Sequence, residues 1–394
     1  MTTAHLLCAS SVVIVALGLF GCGRDSSVHK GSATAPSAST AGQNASSATV
    51  GPPIPTTTPP VKRPGPSARL ESEQNTIDVF QSAAPATVFV TQKRLVRDWS
   101  MRAMEVPAGS GTGYVWDQQG HIVTNYHVVD PDGRGQTTYS VTLYNQKSYE
   151  ATFVGGEPNK DIAVLKIPAP AAELTPIRVL PANRKLEVGQ KTIAIGNPFG
   201  LDHTLTTGVV SAIGREVNGY GGVTIRDMIQ TDASINPGNS GGPLLDSAGA
   251  LIGMNTMIFS KSGSSAGIGF AVPVSTIRRI VPQIIEFGRA KRAGLGIQML
   301  PDRFAARSGV QGVIVADVIE GSPAAEAGLR GLQRNALGQL IVGDVIVGIN
   351  DHEVKDYDDL YNALDRYRIG DEVTVKIRRE GKVVGIMMKL TDVG

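Results

Sequence analysis

The sequence predicts a mainly β protein, and three observations carry that prediction. Gly accounts for 46 of 394 residues, above the usual share of about 7%, so tight turns are frequent. The apolar runs in the middle and end of the chain are short and separated by Asp, Asn, Ser and Gly turn chemistry, the spacing of a barrel or sandwich and not of βαβ units. Long helical periodicity is confined to 274–287, where Ile277, Ile280, Val281, Ile284 and Ile285 recur at helical spacing and Gly288 supplies a stop. The balance of 37 Lys and Arg against 35 Asp and Glu gives a net charge of +2, which offers no electrostatic case for nucleic acid as a partner.

The chain opens on an address. Leu6 to Phe20 is a mostly apolar stretch, short for a membrane span but right for the core of a signal peptide. It ends in Leu19-Phe20-Gly21-Cys22, similar to a bacterial lipobox in which the Cys is lipidated after cleavage. Two features depart from that pattern: Met1 to His5 carries no Lys or Arg, and Phe20 is bulky. An uncleaved anchor and an ordinary cleaved signal are the alternatives, and each exports the rest of the chain. Residues 1–22 are therefore read as a signal peptide and Cys22 as the lipidation site. Residues 31–60 contain no charge, and 26 of these 30 are Gly, Ala, Ser, Thr or Pro. Such a segment cannot bury enough apolar area to offset chain entropy. Residues 23–70 are expected to be a disordered tether, spanning about 38 Å root-mean-square if fully flexible.

From Ile77 the texture becomes β-rich. Ala86–Val90 reads as a strand. Gly113–Trp116 and His121–Thr124 flank Asp117-Gln-Gln-Gly120 as a hairpin. Asp161–Ile167, Thr192–Ile195, Val223–Ile225 with Met228–Gln230, Pro243–Leu245 and Leu251–Met254 follow as strands. The most informative stretch is Asn236-Pro-Gly-Asn-Ser-Gly-Gly-Pro-Leu244. A serine hydroxyl needs a positioned base to act as a nucleophile, and a tetrahedral oxyanion needs backbone donors. Glycines around Ser240 leave the backbone free to turn Gly238 and Ser240 N–H groups inward.

The base must be a histidine. His5 and His29 fall in the export segment and tether, His203 and His352 in polar turn-like surroundings, and His121 opens a strand. His127, in Thr124-Asn-Tyr-His-Val-Val129, ends a strand where a side chain can face a cleft. The orienting carboxylate is assigned to Asp161, at the edge of the buried run 162–167; Asp130 and Asp132 are nearer in sequence but sit in a Pro/Gly turn. The only cysteines are Cys8 and Cys22 and no HExxH run occurs, so no metal site and no cofactor is expected.

The order His127, Asp161, Ser240 is that of the chymotrypsin-like fold. The chain resembles the HtrA/Deg family of trypsin-like serine proteases. The resemblance rests on Gly109-Ser-Gly-Thr-Gly113, Thr124-Asn-Tyr-His-Val-Val129, Asp161-Ile-Ala-Val-Leu165, Ala194-Ile-Gly-Asn-Pro-Phe-Gly200, Thr207-Gly-Val-Val-Ser211, residues 231–244 and Gly267-Ile-Gly-Phe-Ala-Val-Pro273. Tyr126 departs from the family, which usually carries a small polar residue there. The resemblance implies a chymotrypsin-like double β-barrel over residues 71–290. In such proteases the residue six before the nucleophile lies at the base of the P1 pocket. Here it is Ser234, with Ile235 and Met254 to Met257 as apolar walls, so cleavage after small or medium aliphatic residues is expected.

After the polar joint Arg289–Arg292 the runs Gly294–Ile297, Gly312–Ile319, Gly321–Leu329 and Gly343–Asn350, a helix over 357–367 and Val373–Ile377 resemble the single PDZ domain of HtrA/Deg proteins over residues 293–392. Gly294 and Gly296 let backbone N–H groups converge on a terminal carboxylate, Leu295, Ile297 and Leu360 line an apolar pocket, and 297–299 offers an open strand edge. Residues 331–340 read as an inserted loop, and Thr91 to Ala108 as a short one. Export and a lipid anchor are expected from the N-terminal address, and the resemblance further implies an endopeptidase of the cell envelope, acting in protein quality control or the stress response. Its partners would be misfolded or signalling proteins and hydrophobic C-terminal peptides, and it would form a homotrimer through residues 75–89. The alternative is a non-enzymatic, chaperone-like peptide-binding scaffold.

Overall fold

The computed structural model describes residues 69–97, 103–129, 136–200, 202–220, 222–258, 267–334 and 340–393. The signal peptide, Cys22 and the tether up to residue 68 lie outside the described residues, as do Asp130 and Asp132.

The body begins with a helix that the sequence reading did not name: α1 spans Glu71–Ala83 and buries Val79 and Ala83. It is tied to the second barrel by Lys191, whose Nζ donates to Thr76 Oγ1 at 2.7 Å and Asn75 Oδ1 at 3.1 Å. Six strands then close a barrel in the order β1-β2-β3-β6-β5-β4. They are β1 (Thr87–Arg97), β2 (Ala103–Val115), β3 (His121–Thr124), β4 (Gln136–Thr142), β5 (Ser148–Glu157) and β6 (Ile162–Lys166). A short helix α2 (Tyr126–Val129) follows β3. The stretch expected as a short loop, 91–108, is largely a paired arm: β1 and β2 pair from Thr87↔Tyr114 to Arg97↔Ala103, with one register shift between Gln92 and Lys93. The second barrel has the order β10-β11-β12-β9-β8-β7. It is built from β7 (Lys191–Gly196), β8 (Thr204–Asn218), β9 (Thr224–Thr231), β10 (Pro243–Leu245), β11 (Leu251–Ile258) and β12 (Gly269–Pro273), and is followed by α3 (Val274–Phe287).

The period-2 geometry of β6 explains its unbroken apolar run. Ile162 and Val164 pack into the core shared with the second barrel and α3, while Ala163 and Leu165 fill the first barrel. Asp161 therefore leads a strand wedged between two cores. The α3 residues Ile277, Ile280, Val281 and Ile284 join the same core, and Gly288 caps the helix at φ 73°.

The C-terminal domain contains β13 (Ala293–Gly294), β14 (Ile297–Met299), α4 (Asp302–Arg307), β15 (Val313–Val318), α5 (Pro323–Glu326), β16 (Gln333–Arg334), β17 (Leu340–Ile341), β18 (Val345–Ile349), β19 (His352–Glu353), α6 (Tyr357–Leu364), β20 (Glu372–Arg379), β21 (Lys382–Lys389) and β22 (Thr391–Asp392). Its sheet runs β14-β15-β18-β20-β21, which leaves β14 at an edge. The insert expected over 331–340 carries the two-residue strand pair β16–β17. The expected helix 357–367 is helical to Leu364 and is N-capped by Asp356, which accepts from Asp359 N at 2.9 Å. Polar contacts join this domain to the barrels: Lys160 Nζ meets Asp365 Oδ2 at 2.9 Å, and the Arg289 guanidinium forks onto Asp392 with both contacts at 3.0 Å.

Candidate active site

The edge of β6 fixes the carboxylate. Residues Pro158–Lys160 make one 3-10 turn, N-capped by Glu157, which accepts from Asn159 N at 3.2 Å; Asp161 then takes a left-handed conformation at φ 55°. Its backbone carbonyl accepts from Tyr126 N at 3.2 Å and from Asn125 Nδ2 at 3.0 Å, which locks it to the start of α2. His127 lies on that one-turn helix and not on the strand end itself. Asp161 has no solvent exposure, and its carboxylate accepts from His127 N at 3.0 Å. His127 Nδ1 stands 2.8 Å from Oδ2 and 3.1 Å from Oδ1. A carboxylate only accepts, so this contact assigns the ring proton to Nδ1 and leaves the Nε2 lone pair outward. Thr256 Oγ1 of β11 also donates to Asp161 Oδ2.

Among the described residues the other histidines are engaged elsewhere. His121 Nδ1 pairs with Asp117 Oδ2 at 2.7 Å in the β2–β3 turn, and His203 Nε2 meets the Thr87 carbonyl at 2.9 Å.

Ser240 stands on the loop before β10. Asn239 N donates to Asn236 O at 3.0 Å, and Gly238 has φ +100°. Pro at the second position and a positive φ at the third make this a type II turn. The Gly238 and Ser240 N–H groups have no hydrogen-bond partner among the described residues. The Ser240 hydroxyl donates to the Thr256 carbonyl at 3.0 Å, and no hydrogen bond joins it to His127. Thr112, inside the Gly-rich run of β2, ties the first barrel to this loop: Thr112 N donates to Ser240 O at 2.9 Å and Thr112 Oγ1 to Gly238 O at 2.5 Å. That run is glycine-rich because the strand passes close to α2. A Cβ on Gly111 would stand 2.7 Å from Val128 and 3.0 Å from Ser240 O.

The pocket residues read from sequence lie on the segment leading into the Ser240 loop. Ser234 is exposed, and its carbonyl accepts from Thr206 Oγ1 at 3.0 Å and Asn239 Nδ2 at 3.3 Å. Ile235 is buried in the second-barrel core, where a Cβ on Gly269 would come within 2.6 Å of it. In the C-terminal domain, Leu295, Ile297, Met299, Leu360 and Leu364 line one groove of about 180 Å³ between β14 and α6. Gly294 pairs with Thr391, and Gly296 sits at φ +78° with Ser322 packed where a Cβ would be. Arg279, Lys291 and Arg292 bring positive charge to the groove from outside that domain.

Sequence reasoning missed Thr256, Thr112 and Tyr220. Thr256 is a polar residue in the apolar strand β11, the one local signal it offers. Thr112 was inside a motif already singled out. Tyr220, whose ring lies 6.3 Å from the His127 ring, carries no local signal.

A family model for a trypsin-like peptidase domain matches residues 111–254, and one for a PDZ domain matches residues 293–390. The chain is 50% identical over 309 residues to Protease Do-like 1, chloroplastic, of Arabidopsis thaliana, covering 78% of this chain and 69% of that protein. It is 42% identical over 297 residues to a probable periplasmic serine endoprotease DegP-like of Chlamydia trachomatis serovar D, covering 74% of this chain and 56% of that one. A solved structure of the HtrA-type protease AlgW with decapeptide superimposes with a TM-score of 0.57 at 34% identity, covering 81% of this chain and 99% of that one.

Proposed function

Because the chain belongs to the HtrA/Deg family of serine proteases, we propose that it is an exported serine endopeptidase whose catalytic groups are His127, Asp161 and Ser240. The observation that carries this reading is the buried Asp161 carboxylate bonded to His127 Nδ1 at 2.8 Å, which directs the free Nε2 lone pair outward. His127 Nε2 takes the Ser240 proton as Oγ attacks the scissile carbonyl. The carbonyl oxygen gathers charge and receives the Gly238 and Ser240 N–H groups. Asp161 stabilises the imidazolium, which then protonates the leaving amine. Water attacks the acyl-serine by the same route in reverse, restoring the hydroxyl.

Ser234 at the base of the P1 pocket brings no carboxylate, so cleavage follows small or medium aliphatic residues and not Arg or Lys. The groove of Leu295, Ile297 and Leu360 takes hydrophobic C-terminal peptides added along β14, whose edge is open. The substrates are unfolded or signalling proteins of the cell envelope, the anchor is a lipid on Cys22, and the assembly is a trimer through residues 75–89.

A second reading, a peptide-binding scaffold with a resting site, draws on the Ser240 hydroxyl lying on the Thr256 carbonyl instead of on His127. Casein cleavage by the full chain in detergent, beside Ser240→Ala, with and without hydrophobic C-terminal peptides, separates the two. Cleavage that disappears in the variant supports the protease. Binding of unfolded casein without cleavage under every condition supports the scaffold.

A further inference from the structure

The turn joining β8 to β9 reaches out of the second barrel and lays Tyr220 beside the His127 imidazole. The two ring centroids are 6.3 Å apart with their planes at 41°. Tyr220 also meets Tyr126, the neighbour of His127 on α2, at 6.1 Å and 46°. Tyr126 is held from behind. Phe153 stands edge-on to it at 6.3 Å, and the bare Gly156 leaves its ring the space that a Cβ, 2.6 Å from Cδ2, would take. Tyr126 is thus a buried backing at 6% exposure, while Tyr220 is the outer member of the pair at 51% exposure. These separations fall within the range of favourable tilted aromatic pairs.

The base of the same turn is gripped from the C-terminal domain. Thr224 N donates to Asp358 Oδ1 at 2.7 Å and Thr224 Oγ1 to Asp358 Oδ2 at 2.6 Å. Asp358 belongs to the first turn of α6, the helix whose Leu360 and Leu364 line the peptide groove. Tyr220 lies four positions before the gripped Thr224.

We propose that Tyr220 is a specificity-determining residue of the protease, standing where a substrate side chain crosses His127 and held there by the Asp358 grip on Thr224. The argument is one of surface. A substrate bound for attack must bring its scissile carbonyl between Ser240 and His127, so one residue flanking P1 passes over the imidazole. Tyr220, half exposed and stiffened by Tyr126, is the apolar wall beside that path. An apolar side chain is favoured there over glycine. The proposal rests on the reading of His127 as the general base.

The test uses the full chain and two pairs of fluorogenic peptides, differing only in Leu or Gly at one or the other residue flanking P1. For wild type, kcat/KM favours Leu at one of these positions. Tyr220→Ala reduces that preference by about two- to tenfold, the worth of one aromatic contact, with the loss in KM for the Leu peptide. Tyr220→Phe keeps it. Asp358→Ala lowers the same preference and adds nothing in the Tyr220→Ala background. An unchanged Leu preference in Tyr220→Ala overturns the proposal, as does an equal loss on Leu and Gly peptides, which would mark a merely structural residue. An equal effect of Asp358→Ala in both backgrounds overturns the grip. Labelling of the wild type by a fluorophosphonate, absent in Ser240→Ala, keeps these failures apart from a failure of the protease reading itself.

Discussion

Replacing Asp161 by Asn isolates the charge and acceptor capacity of the carboxylate while leaving its backbone at ease, since Asn is among the residues that tolerate the left-handed conformation Asp161 holds at φ 55°. Three donors converge on its two oxygens: His127 N at 3.0 Å on Oδ1, His127 Nδ1 at 2.8 Å on Oδ2, and Thr256 Oγ1 on Oδ2. An Asn side chain offers one acceptor oxygen. The His127 backbone N–H cannot invert, so the amide oxygen must stay in the Oδ1 place. The amide NH2 then takes the Oδ2 place, against Nδ1. The imidazole must present a lone pair at Nδ1, and its proton moves to Nε2, where the Ser240 proton has to go. The Thr256 hydroxyl can rotate to accept, so it does not restore the balance. The expected loss is about 10⁴ in kcat, equivalent to about 5–6 kcal/mol of transition-state stabilisation. Hydrolysis of a fluorogenic aliphatic peptide measures kcat, and a thermal melt checks that the fold survives. A folded Asp161→Asn protein with kcat within tenfold of wild type would refute the tautomer argument.

Gly156→Ala drives a Cβ to 2.6 Å from the Tyr126 ring and 2.9 Å from the Ile162 carbonyl. Overpacking of this kind costs about 1–3 kcal/mol, and a fall of several degrees in the unfolding midpoint is expected; an unchanged midpoint would show that the Tyr126 backing is soft. Glu157 is held above the ordinary carboxylate range chiefly by burial, with Arg292 opposing. The folded state therefore binds this proton more tightly than the unfolded chain does. The stability it contributes is complete below the unfolded carboxylate value of about 4.3 and is lost as pH rises through that value toward the folded one. In melts from acid to neutral pH, the midpoint of Glu157→Gln should gain on wild type as pH increases. A gap moving the other way contradicts the sign.

The parts of this protein legible in its sequence are those whose signals are local. The turns at 117–120 and 246–249 announce themselves through Asp and Gly. The strand 162–166 is uniformly apolar because it serves two cores at once. The Ser240 loop carries glycines at 238, 241 and 242, where a Cβ would collide with its surroundings. Other features depend on partners far along the chain. Thr256 meets Asp161 across 95 residues, and Thr224 meets Asp358 across 134. Helix α1 hides because it buries only Val79 and Ala83, too few for a clear apolar stripe. The β1–β2 arm hides because Val96, Met104 and Val106 lie exposed on it, so no buried face imposes an alternation.

The Ser240 hydroxyl on the Thr256 carbonyl invites the thought of a switched-off enzyme, but the energies place any brake elsewhere. To attack, Ser240 must give up one neutral hydrogen bond of 3.0 Å. Such a bond contributes about 0.5–1.5 kcal/mol net, so the rotation costs no more than about tenfold in population, partly returned by the new contact with His127. A missing triad member costs about 10⁴. The turn beside it is a different matter. Its central pair is Pro237-Gly238, and proline at the second position suits type I and type II turns alike. Glycine at the third adopts either sign of φ without a steric penalty. The two turn types differ by a flip of the peptide between these residues, which swings the Gly238 N–H toward or away from the developing oxyanion. Losing one such donor costs about 10²–10³ in kcat, far more than the serine rotamer can. With φ at +100° the turn stands in its type II form, which accepts the flip at little conformational cost. The place to seek control of this site is therefore the Pro237–Gly238 peptide and whatever packs against it, beginning with Pro198, whose ring sits 2.5 Å from where a Cβ on Gly238 would lie.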